Sequence, residues 1–90
     1  GIDALYIGPA DLSITYGLAP KPDQDDVEWN EAIERVRVAC ERNGVIPAIH
    51  AEAGLAEKRR SAGWRMITVG FDLGNVMTGL RTQLKEARGT

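Results

Sequence analysis

Three short apolar runs, each bounded by Gly or Pro and each followed by a segment of helical periodicity, constrain this chain more than any other feature of its 90 residues. The runs are residues 4–7, 48–51 and 66–70. Four or five apolar residues suit a buried strand and are too few for a helix. Strand then helix, three times over, is the pattern of parallel βαβ units, because neighbouring parallel strands need a long crossover between them. Three units are too few to close a sheet. The sequence therefore predicts an open α/β sheet with two free edges and one uncovered face. Pro47 suits the first residue of a strand, where a missing N–H breaks no ladder bond.

The helical segments have stripes and stop signals. Trp29, Ile33, Val36 and Cys40 recur at intervals of four, three and four and line one face. Asp25 and Asp26 precede that segment and Glu28 and Glu31 open it, while Arg35, Arg37 and Arg42 come later, so its charges oppose the helix dipole. Gly44 follows as a stop. Residues 52–62 read as a less regular helix ended by Gly63. In the last segment Leu73, Val76, Met77, Leu80, Leu84 and Ala87 form a stripe, with Asp72 as the expected N-cap and Gly89 as the terminator. Gly74 and Gly79 each lower helix propensity by about 1 kcal/mol against Ala, so packing must hold this helix, in cis or on a neighbour.

With 11 basic and 13 acidic residues the net charge is −2, which gives no electrostatic case for nucleic acid or an anionic membrane as partner. No apolar run approaches a membrane span or the core of a signal peptide. Cys40 is the only cysteine; it excludes an internal disulfide and a cysteine-based zinc site, reads as a small buried hydrophobe, and makes a reducing, cytoplasmic setting the expectation. The chain starts on Gly1, almost directly with a strand, and reads as a piece of a longer protein. Lys58-Arg59-Arg60 reads as a solvated helix face. Trp64 and Met66 flank the last strand as expected packing residues. Gly70, Gly74 and Gly79 lack the dinucleotide-fold spacing.

The chemistry concentrates in Ile7-Gly8-Pro9-Ala10-Asp11-Leu12-Ser13, where the first apolar run ends in one abrupt turn. In parallel α/β proteins ligands bind at the C-terminal ends of the strands. Gly8 can take angles closed to other residues, Pro9 fixes its own φ, and Ala10 is small, so peptide N–H groups there could approach an anion. Asp11 supplies the carboxylate. Turn chemistry with Asp11 capping a short helix over residues 12–16 accounts for the same residues. His50, the only histidine, ends the second run at the same side of the sheet, as a rim residue with a hydrogen bond or as a functional group. Glu52, two residues on, makes a weak metal pair with it conceivable. Asp72 is favoured as a cap over a ligand.

The block from Gly1 to Ser13, with Gly17 four residues on, resembles the signature of the HpcH/HpaI aldolases, metal-dependent (class II) pyruvate aldolases of 4-hydroxy-2-oxo-acids. Ala62-Gly63-Trp64-Arg65-Met66-Ile67-Thr68-Val69-Gly70-Phe71-Asp72 resembles the late segment of that family, and Asn43-Gly44 with Pro47-Ala48-Ile49 falls where its members have a Gly and then a strand. The resemblance covers essentially the whole chain. It implies that residues 1–90 are the C-terminal fragment of one TIM-barrel domain, the last three of its eight βα units.

The resemblance further implies that Asp11 is one of two carboxylate ligands of a divalent cation, Mg²⁺, Mn²⁺ or Co²⁺, which suits hard oxygen donors. The substrate's 2-oxo and carboxylate oxygens would lie against Gly8, Pro9, Ala10 and Asp11, the N–H groups of Ala10 and Asp11 holding the carboxylate, and Ser13 would cap the turn. His50 departs from the resemblance, since many members carry an aliphatic residue there; a functional histidine at that place could bind the distal polar group of the aldehyde or relay protons. The second carboxylate, and the Arg and His that assist proton transfer, belong to earlier strands, so no catalytic residue lies in this segment and alone it is expected to be inactive. Small-molecule substrates, a 2-oxo-acid and an aldehyde, and a homo-oligomer, a hexamer joined through the last helix, are the implied partners. The rivals are a malyl- or citryl-CoA-type lyase of the same superfamily and a truncated, non-catalytic homologue acting in assembly.

Overall fold

The computed structural model describes residues 1–89. Strand β1 is Ala4–Ile7, and helices α1 (Pro9–Thr15) and α2 (Val27–Arg42) follow it. Strand β2 (Ile46–His50) leads to α3 (Ala53–Ala62), and β3 (Met66–Thr68) leads to α4 (Asp72–Arg88). The sheet is parallel in the order β1-β2-β3, with Tyr6 opposite Ala48 and His50 opposite Thr68. The expected α/β architecture of three consecutive parallel units is present.

Two strand limits differ from the sequence expectation. β2 starts two residues early because the Ile46 N–H donates to the Asp3 carbonyl at 2.9 Å and the Pro47 carbonyl accepts from Arg65 N–H at 3.0 Å. Pro47 is thus the second residue of the central strand. Its missing N–H faces the β3 side, at a level where β3 has not begun, so no ladder bond is lost. β3 stops at Thr68, whose carbonyl takes the last bond, from Ala51 N–H at 2.7 Å; β2 supplies no partner further on.

All helical packing is on one face. Trp29, Ile33, Ile49 and Trp64 form the buried core, with Ile7, Leu12, Leu18, Val36 and Ile67 against it. This is the α2 stripe read from sequence, set on the strand residues Ile7, Ile49 and Ile67, and Cys40 is buried as expected. Asp26 caps α2 by accepting from Trp29 N–H at 2.9 Å. Gly63 ends α3 at φ 110°, in the left-handed region, and a Cβ there would come within 2.9 Å of the Arg37 guanidinium.

Alternation along the strands puts Tyr6, Ile46, Ala48, His50, Met66 and Thr68 on the opposite face. No helix covers it. Tyr6 remains 53% exposed and Met66 49%, so Met66, unlike Trp64, is not a core residue; Ala48 is buried between the two. The last helix is also uncovered: α4 has no buried residue, and its stripe of Leu73, Val76, Met77, Leu80 and Leu84 faces solvent. The chain is correspondingly elongated, 52 × 28 × 22 Å. Among the described residues no neighbour buries a side chain of this helix. Its N-cap is Phe71, not Asp72; Asp72 is the first helical residue, and its carboxylate accepts from Leu73 N–H at 2.9 Å.

The basic run on α3 departs most from expectation. Arg59 is 4% exposed, not solvated. Its guanidinium lies 5.8 Å from the Trp29 ring centroid, donates to the Pro22 carbonyl at 3.0 Å and meets the Asp23 carboxylate at 3.3 Å. Lys58 reaches the other Asp23 oxygen at 2.6 Å. Burial alone would push the Asp23 carboxyl up, but the Lys58 hydrogen bond, the charges of Arg59 and Lys58 and the Gln24 N–H together hold it below the ordinary carboxylate value. A depressed folded-state pKa stabilises the fold above the unfolded pKa of about 3.9 and ceases to do so as pH falls through the folded value. Urea midpoints across pH 2–6 will therefore fall toward acid, and Asp23→Asn will make that fall smaller.

Candidate functional site

The candidate site residues lie at the C-terminal ends of the strands. β1 ends at Ile7, and Gly8 becomes the N-cap of α1 at φ −100°, ψ 102°, an ordinary extended conformation. Freedom of backbone angle is therefore not what Gly8 contributes. It contributes space: a Cβ there would lie 3.2 Å from Asp11 Oδ2, because the Asp11 carboxylate folds back over it. Pro9 is buried at the first helical position, where its fixed φ suits a helix and its missing N–H costs nothing.

α1 begins at Pro9, three residues earlier than the sequence suggested, so Asp11 is the third helical residue and not a cap. The first helical bond runs from Leu12 N–H to the Gly8 carbonyl at 3.0 Å. Since Pro9 has no N–H, Ala10 and Asp11 carry the free peptide donors of this turn. Asp11 is exposed, and among the described residues no protein group donates to its carboxylate. An unengaged carboxylate beside two outward N–H groups can contribute an oxygen ligand to a hard cation and hold an anion next to it.

Ser13 neither caps nor faces the site. It is fully buried; its hydroxyl donates to the Pro9 carbonyl at 2.8 Å and accepts from Gln24 Nε2 at 3.2 Å. Gln24 also donates to the Ala19 carbonyl at 2.6 Å and, through its N–H, to Asp23 at 3.0 Å. Asn30 of α2 donates to the Gln24 carbonyl at 2.7 Å. The loop after α1 is thus strapped to α1, α2 and α3 together. Nothing in the sequence marks Gln24, Asn30 or Arg59 for this role; an Arg inside a basic triplet looks the same buried or exposed.

His50 is the last residue of β2, half-buried, with Nδ1 3.0 Å from Thr68 Oγ1 and the Phe71 ring edge-on at 6.4 Å. It stands on the strand next to that leading into Asp11, and no hydrogen bond joins the two. Glu52 is the N-cap of α3 and lines a cleft of about 600 Å³ with Gly70, Phe71, Asn75, Thr78 and Arg81. Neither Asp11 nor His50 lines that cleft. Among the described residues no three His, Cys, Asp or Glu side chains come together as a metal cluster, either around Asp11 or around His50 and Glu52.

The profile of the family described as HpcH/HpaI aldolase/citrate lyase matches residues 1–78. The chain belongs to the HpcH/HpaI aldolase/citrate lyase family. Within it the chain is 32% identical to a hydroxypyruvate/pyruvate aldolase of Paraburkholderia phytofirmans over 98% of its own length and 34% of that protein. It is 36% identical over 80% of its length to a 4-hydroxy-2-oxo-heptane-1,7-dioate aldolase of Salmonella paratyphi B, covering 27% of it. An HpcH/HpaI family protein from Burkholderia cenocepacia J2315, known by crystal structure, superposes with a TM-score of 0.86 at 35% identity, covering 98% of this chain and 34% of that one. The chain spans about a third of the length of the curated relatives it matches. The α/β units described above are therefore those of an HpcH/HpaI protein, consistent with part of a (β/α)₈ barrel. No helix among the described residues is long and apolar enough to cross a membrane.

Proposed function

We propose that residues 1–90 are the C-terminal part of one barrel domain of a metal-dependent aldolase, which cleaves 4-hydroxy-2-oxo-acids to pyruvate and an aldehyde. The observation that carries this reading is the unengaged Asp11 carboxylate on the first turn of α1, beside the free N–H groups of Ala10 and Asp11, in a chain of this family. Asp11 would be one ligand of Mg²⁺, Mn²⁺ or Co²⁺, whose charge would polarise the 2-oxo group and make the methyl of bound pyruvate acidic. The Ala10 and Asp11 N–H groups orient the pyruvate carboxylate, Gly8 leaves room for the Asp11 carboxylate beside it, and Pro9 fixes the start of the helix that carries them. His50 contacts the aldehyde end. Proton transfer falls to residues on the strands that complete the barrel, and the 90-residue segment by itself is inactive.

The relatives matched here carry aldolase names, which favours this reading over a CoA-thioester lyase. A homo-oligomer, hexameric by resemblance, accounts for the bare stripe of α4, which an equivalent surface of a second subunit would cover.

The whole protein will exchange the methyl protons of pyruvate with deuterated water when no aldehyde is present, followed by proton NMR. Exchange will need the divalent cation and stop with chelator. A thioester lyase or a non-catalytic homologue has no reason to act on free pyruvate, so absence of exchange with all three ions would overturn the assignment.

A further inference from the structure

Tyr6, Thr68 and His50 come from three different strands and form one hydrogen-bonded chain on the uncovered face of the sheet. The Tyr6 and Thr68 hydroxyl oxygens are 2.9 Å apart, and His50 Nδ1 is 3.0 Å from the same Thr68 oxygen. Thr68 has one proton, so it donates to only one of its two neighbours. A phenol is a stronger acid than an alkyl alcohol, and an imidazole nitrogen is a stronger acceptor than a hydroxyl oxygen. The chain therefore runs from Tyr6 to Thr68 to His50 Nδ1, with each hydroxyl donating once. That direction leaves Nδ1 without a proton and puts the ring proton on Nε2. Nε2 has no partner among the described residues, and the Phe71 ring lies edge-on to the imidazole at 6.4 Å.

We propose that Tyr6 and Thr68 are positioning residues that hold His50 in its Nε2–H form, so that it donates to a hydroxyl or carboxylate oxygen at the far end of the aldehyde. The inference rests on the aldolase reading and narrows its substrates to aldehydes that carry such an oxygen. The hydrogen bond expected of a rim histidine is present, and it leaves the other ring nitrogen unpartnered among the described residues. The sequence alone does not show this, because the three residues are 44 and 18 positions apart and only the register of the sheet joins them.

The test uses the whole protein with its cation. Nitrogen-15 NMR of the His50 ring at pH 8.5 will find Nδ1 unprotonated and Nε2 protonated. Thr68→Val keeps the shape and removes the link; it will give mixed tautomers and lower the kcat/KM preference for glycolaldehyde over propanal about tenfold, and Thr68→Ser will restore both. Succinic semialdehyde against butanal repeats the comparison for a carboxylate. Tyr6→Phe is the milder second variant, with a smaller change in the same direction. A protonated Nδ1 in the wild type overturns the proposal, and so does an unmoved preference in Thr68→Val after the tautomer has changed. Either result in a protein that exchanges pyruvate protons leaves the aldolase reading standing; a wild type that exchanges none overturns that reading and the substrate assignment with it.

Discussion

Asp11→Asn will weaken divalent-cation binding about 100-fold or more in the whole protein, and pyruvate proton exchange will fall with it. The amide keeps the size of the carboxylate and its place over Gly8, so the first turn of α1 stays intact. What it loses is the charge that a hard cation requires. Loss of a group that only supports a metal ligand typically costs 10–100-fold in affinity, and removing the ligand itself belongs at or beyond the upper end of that range. Calorimetric titration with Mn²⁺ measures the binding, and an unchanged circular dichroism spectrum shows that the fold is preserved. Binding and exchange equal to wild type would remove Asp11 from the site.

The second large effect lies away from the chemistry. Arg59→Ala will destabilise the fold by about 3 kcal/mol, read from urea denaturation of the whole protein. Breaking a buried ion pair by removing one partner costs about 3–5 kcal/mol; Lys58 still neutralises Asp23 after the change, which places the value at the low end. The cation–π approach to Trp29 and the bond to the Pro22 carbonyl are lost as well. Arg59→Lys will recover little, since an ammonium is more strongly hydrated than a guanidinium and is held less well in this buried place beside the indole. A change below 1 kcal/mol in Arg59→Ala would mean that the loop after α1 is held without it.

The three strands, the α2 stripe and the end of α4 at Gly89 could all be read from the chain, because apolar period, Gly stops and acidic caps are local signals that agree with one another. The Gly-Pro-Ala-Asp turn was legible too, and with it the position of Asp11. Less legible were features decided by distant contacts. Asp11 looked like a cap because the sequence does not show that α1 already begins at Pro9. Gly8 suggested an unusual backbone angle, whereas the structure needs only the absence of a side chain. Ser13 and Arg59 are buried by hydrogen bonds and a cation–π contact whose partners lie many residues away, and composition gives no sign of either.

The strap joining Ser13, Gln24, Asp23 and Arg59 bears on how this fold can be recombined. Successive βα units of a barrel look like natural cassettes, with crossovers free to fall in any loop. Here a crossover between α2 and α3 would set one parent's Asp23 against the other parent's residue at position 59, and the turn that carries Asp11 is tied to that contact through Ser13. The smallest piece that can be transplanted with its carboxylate in place therefore runs from Gly8 through Arg59. In chimaeras between relatives, inheritance of the position-59 partner will track with an intact Asp11 turn even though the two are nearly fifty residues apart.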